Sequence, residues 1–422
     1  MTAEAPSDGL AAREAALHLL DATLARRGGL EEALTSGAFS RLDPRDRAFA
    51  RALTMAALRH LGPIDRALDG KLQREPPARV RHILRLGAAQ VFWLDVPDFA
   101  AVSTSVEMAQ ADRASRPFKG LVNAVLRRLI ADGAPPADPQ ALAPAWLYAR
   151  WRAAYGEDAD AIAAKIAEEP ATDLTLRDSA KAPALEGELL PGGSFRVAQR
   201  GDITLWPGYA EGDWWVQDAA AAVPARLLDV RPGETALDLC AAPGGKTLQL
   251  AAAGAAVTAV DRSAPRLRRL KENLARTGLS AEIVVADAAE WKDDRAFDAV
   301  LLDAPCASTG TFRRNPDVLW AIAPPDIAKL AQVQARLLDS AAARVKPGGR
   351  LVYCVCSLEP EEGEAQAAGF LKRHPEFKAV PIEPGEGGAP EASATPQGWL
   401  RILPHHLPGG IDGFFAARFV RL

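Results

Sequence analysis

The sequence predicts an α/β chain in which an all-α bundle precedes a parallel sheet covered on both faces by helices. Three observations predict it. The first 130 or so residues carry apolar side chains at helical spacing and show no strand alternation. From Arg231 onward the pattern becomes strand, loop, helix, repeated. Between these regimes, residues 131–144 (ADGAPPADPQALAP) hold four prolines and no apolar period, which reads as a linker.

In the first part, Arg47–Leu61 places Phe49, Leu53, Ala56, Ala57 and His60 on one stripe of a helix. Asp43 and Pro44 precede it as cap and first-turn proline. Val80–Leu94 repeats the pattern through Ile83, Leu84, Leu86, Gly87, Gln90 and Val91, and Phe118–Ile130 gives a third helix. The domain plan is therefore a helical bundle over 1–131, a linker over 132–144, a small connecting module over 145–220 and an α/β domain over 221–422. The connecting module is dense in tryptophan (Trp146, Trp151, Trp206, Trp214, Trp215), with short strands expected at Asp173–Arg177 and Ser194–Val197. Those indoles either pack between domains or stack nucleic-acid bases.

In the α/β part, strands are expected at Thr235–Ala241, Ala256–Val260, Glu282–Ala286, Asp298–Leu302 and Arg350–Val355. Helices are expected at Thr247–Ala253, Pro265–Arg276 and Pro325–Val345, and a last strand pair near Phe377–Pro381 and Phe414–Val420 at an edge. There is no internal repeat.

Composition agrees with a folded chain. Of 422 residues, 48% are hydrophobic and 25% charged, values that exclude wholesale disorder. Four cysteines, all in the second half, do not make a disulfide framework, and a cytoplasmic location is expected. No signal peptide or membrane-spanning stretch is evident. Net charge is −4, but residues 41–130 carry 16 Lys+Arg against 9 Asp+Glu. A basic helical part joined to an acidic remainder hints at a polyanionic partner, although solvated helix faces give the same balance.

The strongest local signal is Ala236-Leu-Asp-Leu-Cys-Ala-Ala-Pro-Gly-Gly-Lys-Thr247, a buried strand running through a Gly-Gly turn into a helix. It is neither a phosphate-binding P-loop nor a dinucleotide fingerprint. Acids then fall at successive strand ends: Asp261 for ribose hydroxyls, Asp287 for an adenine edge, and Asp303 in Asp-Ala-Pro-Cys306. Carboxylates lining one crevice suit a cationic nucleoside cofactor, so S-adenosylmethionine is expected.

Cys306 and Cys356 also fall at strand ends on that edge, while Cys240 and Cys354 read as buried packing. Cys354 and Cys356 are two apart without a nearby histidine, so no metal site is expected. A reaction exists that uses such thiols. Cytosine C5 is a poor nucleophile until a thiolate adds to C6, after which C5 attacks a methyl sulfonium. A nearby cation such as Lys246 favours the thiolate, and Asp303 is placed for the N3/N4 edge of the base.

The chain resembles the RNA cytosine-5 methyltransferases of the Sun type, the bacterial RsmB-like group, over residues of about 170–422. The likeness runs through Val216-Gln-Asp218, the loop 241–247, Asp303–Cys306, Phe312-Arg-Arg-Asn-Pro-Asp317, Lys346-Pro-Gly-Gly349, Cys356-Ser357 and Asp412-Gly-Phe-Phe415. The N-terminal part resembles a NusB-type RNA-binding domain through Arg45-Asp-Arg47, Leu84-Arg-Leu-Gly87, Ala101–Val106 and Val122-Asn-Ala-Val-Leu-Arg127. The sequence departs from the family at Val355, where a threonine is usual, and at Leu176-Arg-Asp178, where Arg-Val-Asn is frequent.

The resemblance implies a Rossmann-like S-adenosylmethionine-dependent domain behind a NusB-like bundle, acting on small-subunit (16S) ribosomal RNA. It implies Cys356 as nucleophile and Cys306 in product release, with Asp303 and Lys246 beside them. It implies a cofactor site of Cys240, Ala241, Ala242, Pro243, Gly244, Gly245, Lys246, Asp261, Asp287 and Asp303. Arg313 and Arg314, and Arg45 and Arg47 in the bundle, are the expected RNA contacts. The target cytosine must leave its stack to be reached. A monomer is expected. The alternatives are a tRNA methyltransferase of the same chemistry, a catalytically idle RNA-binding assembly factor and a small-molecule methyltransferase. An exchange of the two cysteine roles also stays open.

Overall fold

Asp43 accepts a hydrogen bond from the Asp46 amide at 2.9 Å, and Pro44 occupies the first turn of the helix that follows. This is the expected cap, and it shows how local sequence starts the helices of this chain. The protein is seen here as a computed structural model that describes residues 9–25, 30, 33–34, 37–136, 138–178, 180–181 and 183–422. It divides into two units: Met1–Glu168 with Phe312–Ile322, and Glu169–Thr311 with Ala323–Leu422.

The first unit is helical. Its main helices are α1 (Leu10–Leu24), α2 (Pro44–Arg59), α3 (Leu61–Asp69), α4 (Ala78–Trp93), α5 (Asp98–Ala111), α6 (Lys119–Asp132), α7 (Ala145–Tyr155) and α8 (Asp158–Ala164). Leu17, Leu20, Leu53, Ala57, Ile83, Leu84, Val122 and Leu126 share its core. The stripe read from α2 is buried except for Phe49, which is half-buried, and His60 at its end stacks on Trp93 with ring centroids 3.9 Å apart. Burial, then the charge of Arg59, pushes the His60 pKa down to about 4. Gly87 lets α4 approach α6, since a Cβ there would meet the Leu126 methyls at 2.8 Å. Gln90, the polar member of the α4 stripe, accepts from Arg13 Nε at 2.6 Å.

Two expectations about boundaries change. The stretch 132–144 is not wholly a linker, because Pro139–Leu142 forms a helical turn capped by Asp138 and buries Ala141, Leu142 and Ala143. Nor is 145–220 one module: α7 and α8 belong to the first unit, and the dividing line falls after Glu168. Apolar helix faces decide this, since Leu147, Trp151 and Ile162 are all buried.

The second unit holds two sheets. The small one has strand order β2–β3–β1–β4 and is antiparallel throughout, with β1 (Thr172–Leu176), β2 (Gly187–Leu189), β3 (Ser194–Val197) and β4 (Trp214–Val216). Its core is Leu174, Leu176, Phe195, Val197, Trp206 and Trp214. Trp215, on the same short strand, instead packs with Ala241, Leu248 and Leu267 of the larger domain. These three indoles are buried, so they are core side chains rather than a platform for bases.

The large sheet has eight strands in the order β10–β12–β9–β8–β5–β6–β7, with β11 paired to β12. Strands β5 (Thr235–Leu239), β6 (Ala256–Asp261), β7 (Glu282–Val285), β8 (Phe297–Asp303) and β9 (Val345–Val355) run parallel. Their centres are nearly continuous apolar runs, as strands covered on both faces require. Helices α9 (Ala219–Leu227), α10 (Gly245–Ala252), α11 (Ala264–Thr277), α12 (Pro324–Ala342) and α13 (Glu364–Arg373) complete the α/β pattern. The sheet is mixed rather than purely parallel, because β12 (Phe414–Arg421) enters antiparallel between β9 and the edge strand β10 (Phe377–Ala379). Strand β11 (Leu400–Ile402) was not expected from sequence.

One buried ion pair fastens the small sheet. Arg196 reaches Asp173 with two bonds of 2.7 and 2.9 Å, and donates to the carbonyls of Pro408 and Gly410. Asp173 also accepts from the Ala219 amide at the start of α9. Replacing Asp173 by alanine strands a buried guanidinium and is expected to cost about 3 kcal/mol of stability. Replacing both partners by apolar residues, as in Asp173→Leu with Arg196→Met, is expected to cost less. Urea unfolding followed by tryptophan fluorescence checks both.

Candidate active site

The turn after β5 is built on unusual backbone. Cys240 has φ 62° and Gly244 φ 113°, with a cis Ala242–Pro243 bond between them. A Cβ at Gly244 would lie 2.3 Å from Leu270 Cδ1, and one at Gly245 would lie 3.1 Å from the Gln217 side chain. The glycines are thus required by the turn and by the protein packed against it, and not only by an approaching ligand as the motif alone suggested.

Asp261 closes this loop onto β6. Its Oδ2 accepts from the Ala242 amide at 3.1 Å and its Oδ1 from the Ser263 amide at 2.8 Å. Arg266 on α11 lies against the same corner, donating to the Ala242 carbonyl with a nitrogen 4.0 Å from Asp261. Asp287 is exposed just beyond β7 and caps the turn through the Ala289 amide. Asp238, within β5, is fully buried; its Oδ2 accepts from Thr247 Oγ1 at 2.6 Å, and its Oδ1 has no partner. Burial, opposed by the Thr247 bond and helped by Asp303, pushes the Asp238 pKa up to about 7.

Acids outnumber cations here. Burial raises the Cys240 thiol, and Asp261, Asp303, Asp238 and Asp287 all push it further. Lys246 is the cation among them. Burial opposes its charge, yet Asp303 at 2.7 Å and the neighbouring Cys354 outweigh it and raise the pKa. This donor set, with the orphaned Asp238 oxygen, fits a cofactor that brings positive charge and hydroxyl donors.

Next to it lie the two cysteines. Cys306 Sγ is 3.5 Å from Cys356 Sγ, and Ser308 Oγ lies 3.9 and 3.6 Å from them respectively. The hydrogen bond from Cys306 lowers the Cys356 pKa, against burial and the charge of Asp303, and with help from Ser308 and Lys246. The same bond, together with burial, pushes Cys306 well up. The contact thus acts on the two thiols in opposite directions, easing ionisation of Cys356 and opposing that of Cys306. Cys354 is buried, raised first by burial, and its thiol points at Asp303 Oδ1 at 3.5 Å, the packing role expected of it.

The structure brings Cys240, Lys246, Asp261, Asp287, Asp303, Cys306 and Cys356 together in the second unit. It does not do so for the expected RNA contacts. Arg45 and Arg47 are exposed on the first turn of α2 in the first unit. Arg313 is 1% exposed, which corrects its expected role as a phosphate contact. It lies in the Phe312–Ile322 segment of the first unit, where its carbonyl accepts from Arg59 and the Phe312 ring lies 5.7 Å from Trp151. Arg314 is half-buried. Ser308, Arg266 and Glu362 were not singled out from sequence; only the run of acids after Cys356-Ser357 marked the last.

Known proteins resemble the chain along its whole length. Ribosomal RNA small subunit methyltransferase B of Xanthomonas campestris pv. campestris is 35% identical over 446 residues, covering 100% of this chain and 99% of its own. The protein of the same name from Pseudomonas syringae pv. tomato is 35% identical, covering 97% of each. The chain belongs to this family. The description "16S rRNA methyltransferase RsmB/F" matches residues 225–420, and the NusB family matches 10–131. The crystal structure of PH0851 covers 99% of this chain at 25% identity with a TM-score of 0.77. A methyltransferase homologue from Pyrococcus horikoshii covers 66% at 26% identity and 0.56. The second unit is therefore a Rossmann-like methyltransferase domain, and the methyl donor of the family is S-adenosylmethionine. The loop 240–246 with Asp261, Asp287 and Asp303 is the set of residues here that fits it.

The thiol assignment predicts chemical reactivity. At pH 7, limiting iodoacetamide is expected to label Cys356 ahead of Cys240 and Cys354, because its thiol is lowered while theirs are raised. Ser308→Ala should slow that labelling by removing the hydroxyl whose contact at 3.6 Å lowers the Cys356 thiol. Peptide mass spectrometry reads both, and labelling spread evenly over the cysteines would contradict the assignment.

Proposed function

We propose that the chain methylates C5 of a cytosine in small-subunit ribosomal RNA through a covalent adduct on Cys356, acting as a monomer. The observation that carries this reading is the contact of Cys306 Sγ with Cys356 Sγ at 3.5 Å, which lowers the Cys356 thiol and raises that of Cys306, beside the acidic loop. When bound, S-adenosylmethionine supplies an electrophilic methyl group to C5 of the base.

The chain's own residues supply the rest. Cys356 thiolate forms a bond to C6, and the C5–C6 π pair becomes available at C5. Asp303, held by Lys246, lies at the strand exit next to the cysteines, where its carboxylate accepts from the N4 amino group and orients the base. After methyl transfer a water molecule takes the C5 proton, the C5–H pair re-forms the C5–C6 double bond, and the Cys356–C6 bond breaks with its pair returning to sulfur as thiolate. Cys306 S–H, already the hydrogen-bond partner of Cys356, stabilises the departing thiolate. Arg45 and Arg47 on the NusB-like unit give the RNA a second grip that is non-specific and salt-sensitive.

Separate Cys306→Ala and Cys356→Ala variants test the roles. Each is incubated with S-adenosylmethionine and 16S rRNA and run on a denaturing gel. A covalent protein–RNA band is expected to accumulate with Cys306→Ala, whereas Cys356→Ala gives neither band nor methylation. The reverse pattern would exchange the roles. Methylation of tRNA but not rRNA by the unmodified protein would move the substrate, and no transfer to either would favour an idle domain.

A further inference from the structure

Glu362 lies six residues beyond Cys356, is fully buried and touches neither sulfur. Its carboxylate accepts from the Ala307 amide at 3.0 and 3.1 Å, from Ser357 Oγ at 2.5 Å and from Gln334 Nε2 at 3.0 Å. Ala307 follows Cys306, and Ser357 follows Cys356. Gln334 Nε2 also donates to the Pro305 carbonyl at 2.9 Å, so the network grips the chain on both sides of Cys306. The Glu362 backbone carbonyl in turn accepts from the Tyr353 hydroxyl of β9. One carboxylate thus ties α12, the exit of β8 and the exit of β9.

This is a costly arrangement for stability alone. Burial raises the Glu362 pKa against the bonds from Ser357, Gln334 and Ala307. Neutral donors surround it, and among the described residues no lysine or arginine forms an ion pair with its carboxylate. A buried carboxylate without a cation is tolerated where neighbouring chemistry uses it. Two uses are visible. The carboxylate fixes the peptide after each cysteine, and its charge adds to the Cys356 contact and burial in raising the Cys306 thiol. The other charged or titratable groups facing the sulfur pair and this network are Asp303 and Lys246, Tyr353, Cys354, Glu359 and Arg401.

We propose that Glu362 is a positioning residue that holds the two cysteine loops in register, so that the sulfurs of Cys306 and Cys356 meet in the geometry the reaction uses. This rests on the proposed roles of the cysteines, but part of its test is independent of RNA. Glu362→Gln keeps the size and some hydrogen bonds but removes the charge; Gln334 can turn its amide to match. Glu362→Ala removes both.

The expected result for Glu362→Gln is a kcat for RNA methylation lowered by about 10- to 100-fold with KM little changed, as misplacement of a reacting group produces. S-adenosylmethionine affinity and Tm should stay near those of the unmodified protein. Iodoacetamide labelling without RNA should lose its preference for Cys356, with Cys306 labelled alongside it and at lower pH than before. Wild-type kcat together with unchanged labelling preference would overturn the proposal. So would a loss of activity that tracks a fall in Tm and cofactor binding, since that is a structural role only. If Glu362→Ala fails to fold, Glu362→Gln decides. If the unmodified protein methylates no RNA, the cysteine mechanism falls, while the labelling preference still reads the positioning role.

Discussion

Parallel pairing of β8 with β9 is the constraint on which the rest of the site depends. In its register Asp303 stands opposite Cys354, so the two chains leave the sheet side by side at its carboxyl edge. Neighbouring strands are about 4.8 Å apart. Two loops that leave such a pair in step can bring side chains into contact within a few residues, and here Cys306 and Cys356 meet at 3.5 Å. The ladder continues past the strands: the Ala304 amide donates to the Cys354 carbonyl and the Gly310 amide to the Cys356 carbonyl, each at 3.0 Å. A slip of one residue would turn every side chain of one strand to the other face and part the two sulfurs.

Charge is then distributed by the same edge. The cofactor side is crowded with carboxylates and carries one buried lysine, which Asp303 claims. The cysteine side receives its polarity from hydrogen bonding within the pair rather than from that lysine, whose effect on Cys356 ranks behind those of Cys306 and Ser308. The sequence reading placed Lys246 as the activating cation. The geometry makes it chiefly the partner of Asp303, because a lysine buried next to a carboxylate is committed to it at short range.

Much of this was legible in the chain, for physical reasons. The apolar run at 236–239 is near-continuous because β5 is covered on both faces, and acids at strand tips announce an edge where carboxylates meet. Helix α2 was readable because Asp43 and Pro44 act locally. What escaped was non-local. Strand β12 alternates no differently from a parallel edge strand, and only pairing with β9 reveals its direction. Arg313 looks like a free basic residue in sequence, and its burial depends on Phe312 meeting Trp151 from a distant helix. Glu362 is one acid in a run of several, distinguished only by the two loops that converge on it.

The Phe312–Ile322 segment has a consequence for how the protein comes into being. The chain departs from the second unit six residues after Cys306, gives Phe312 and Leu319 to the buried interior of the first unit, and returns at Ala323. Trp320 adds a bond from its indole to the Leu58 carbonyl at 3.1 Å. During synthesis the helices through Glu168 emerge from the ribosome well before this piece. The first unit must wait with an unfilled apolar socket while more than half of the second is still being translated. No single cut in the polypeptide can then yield both units whole.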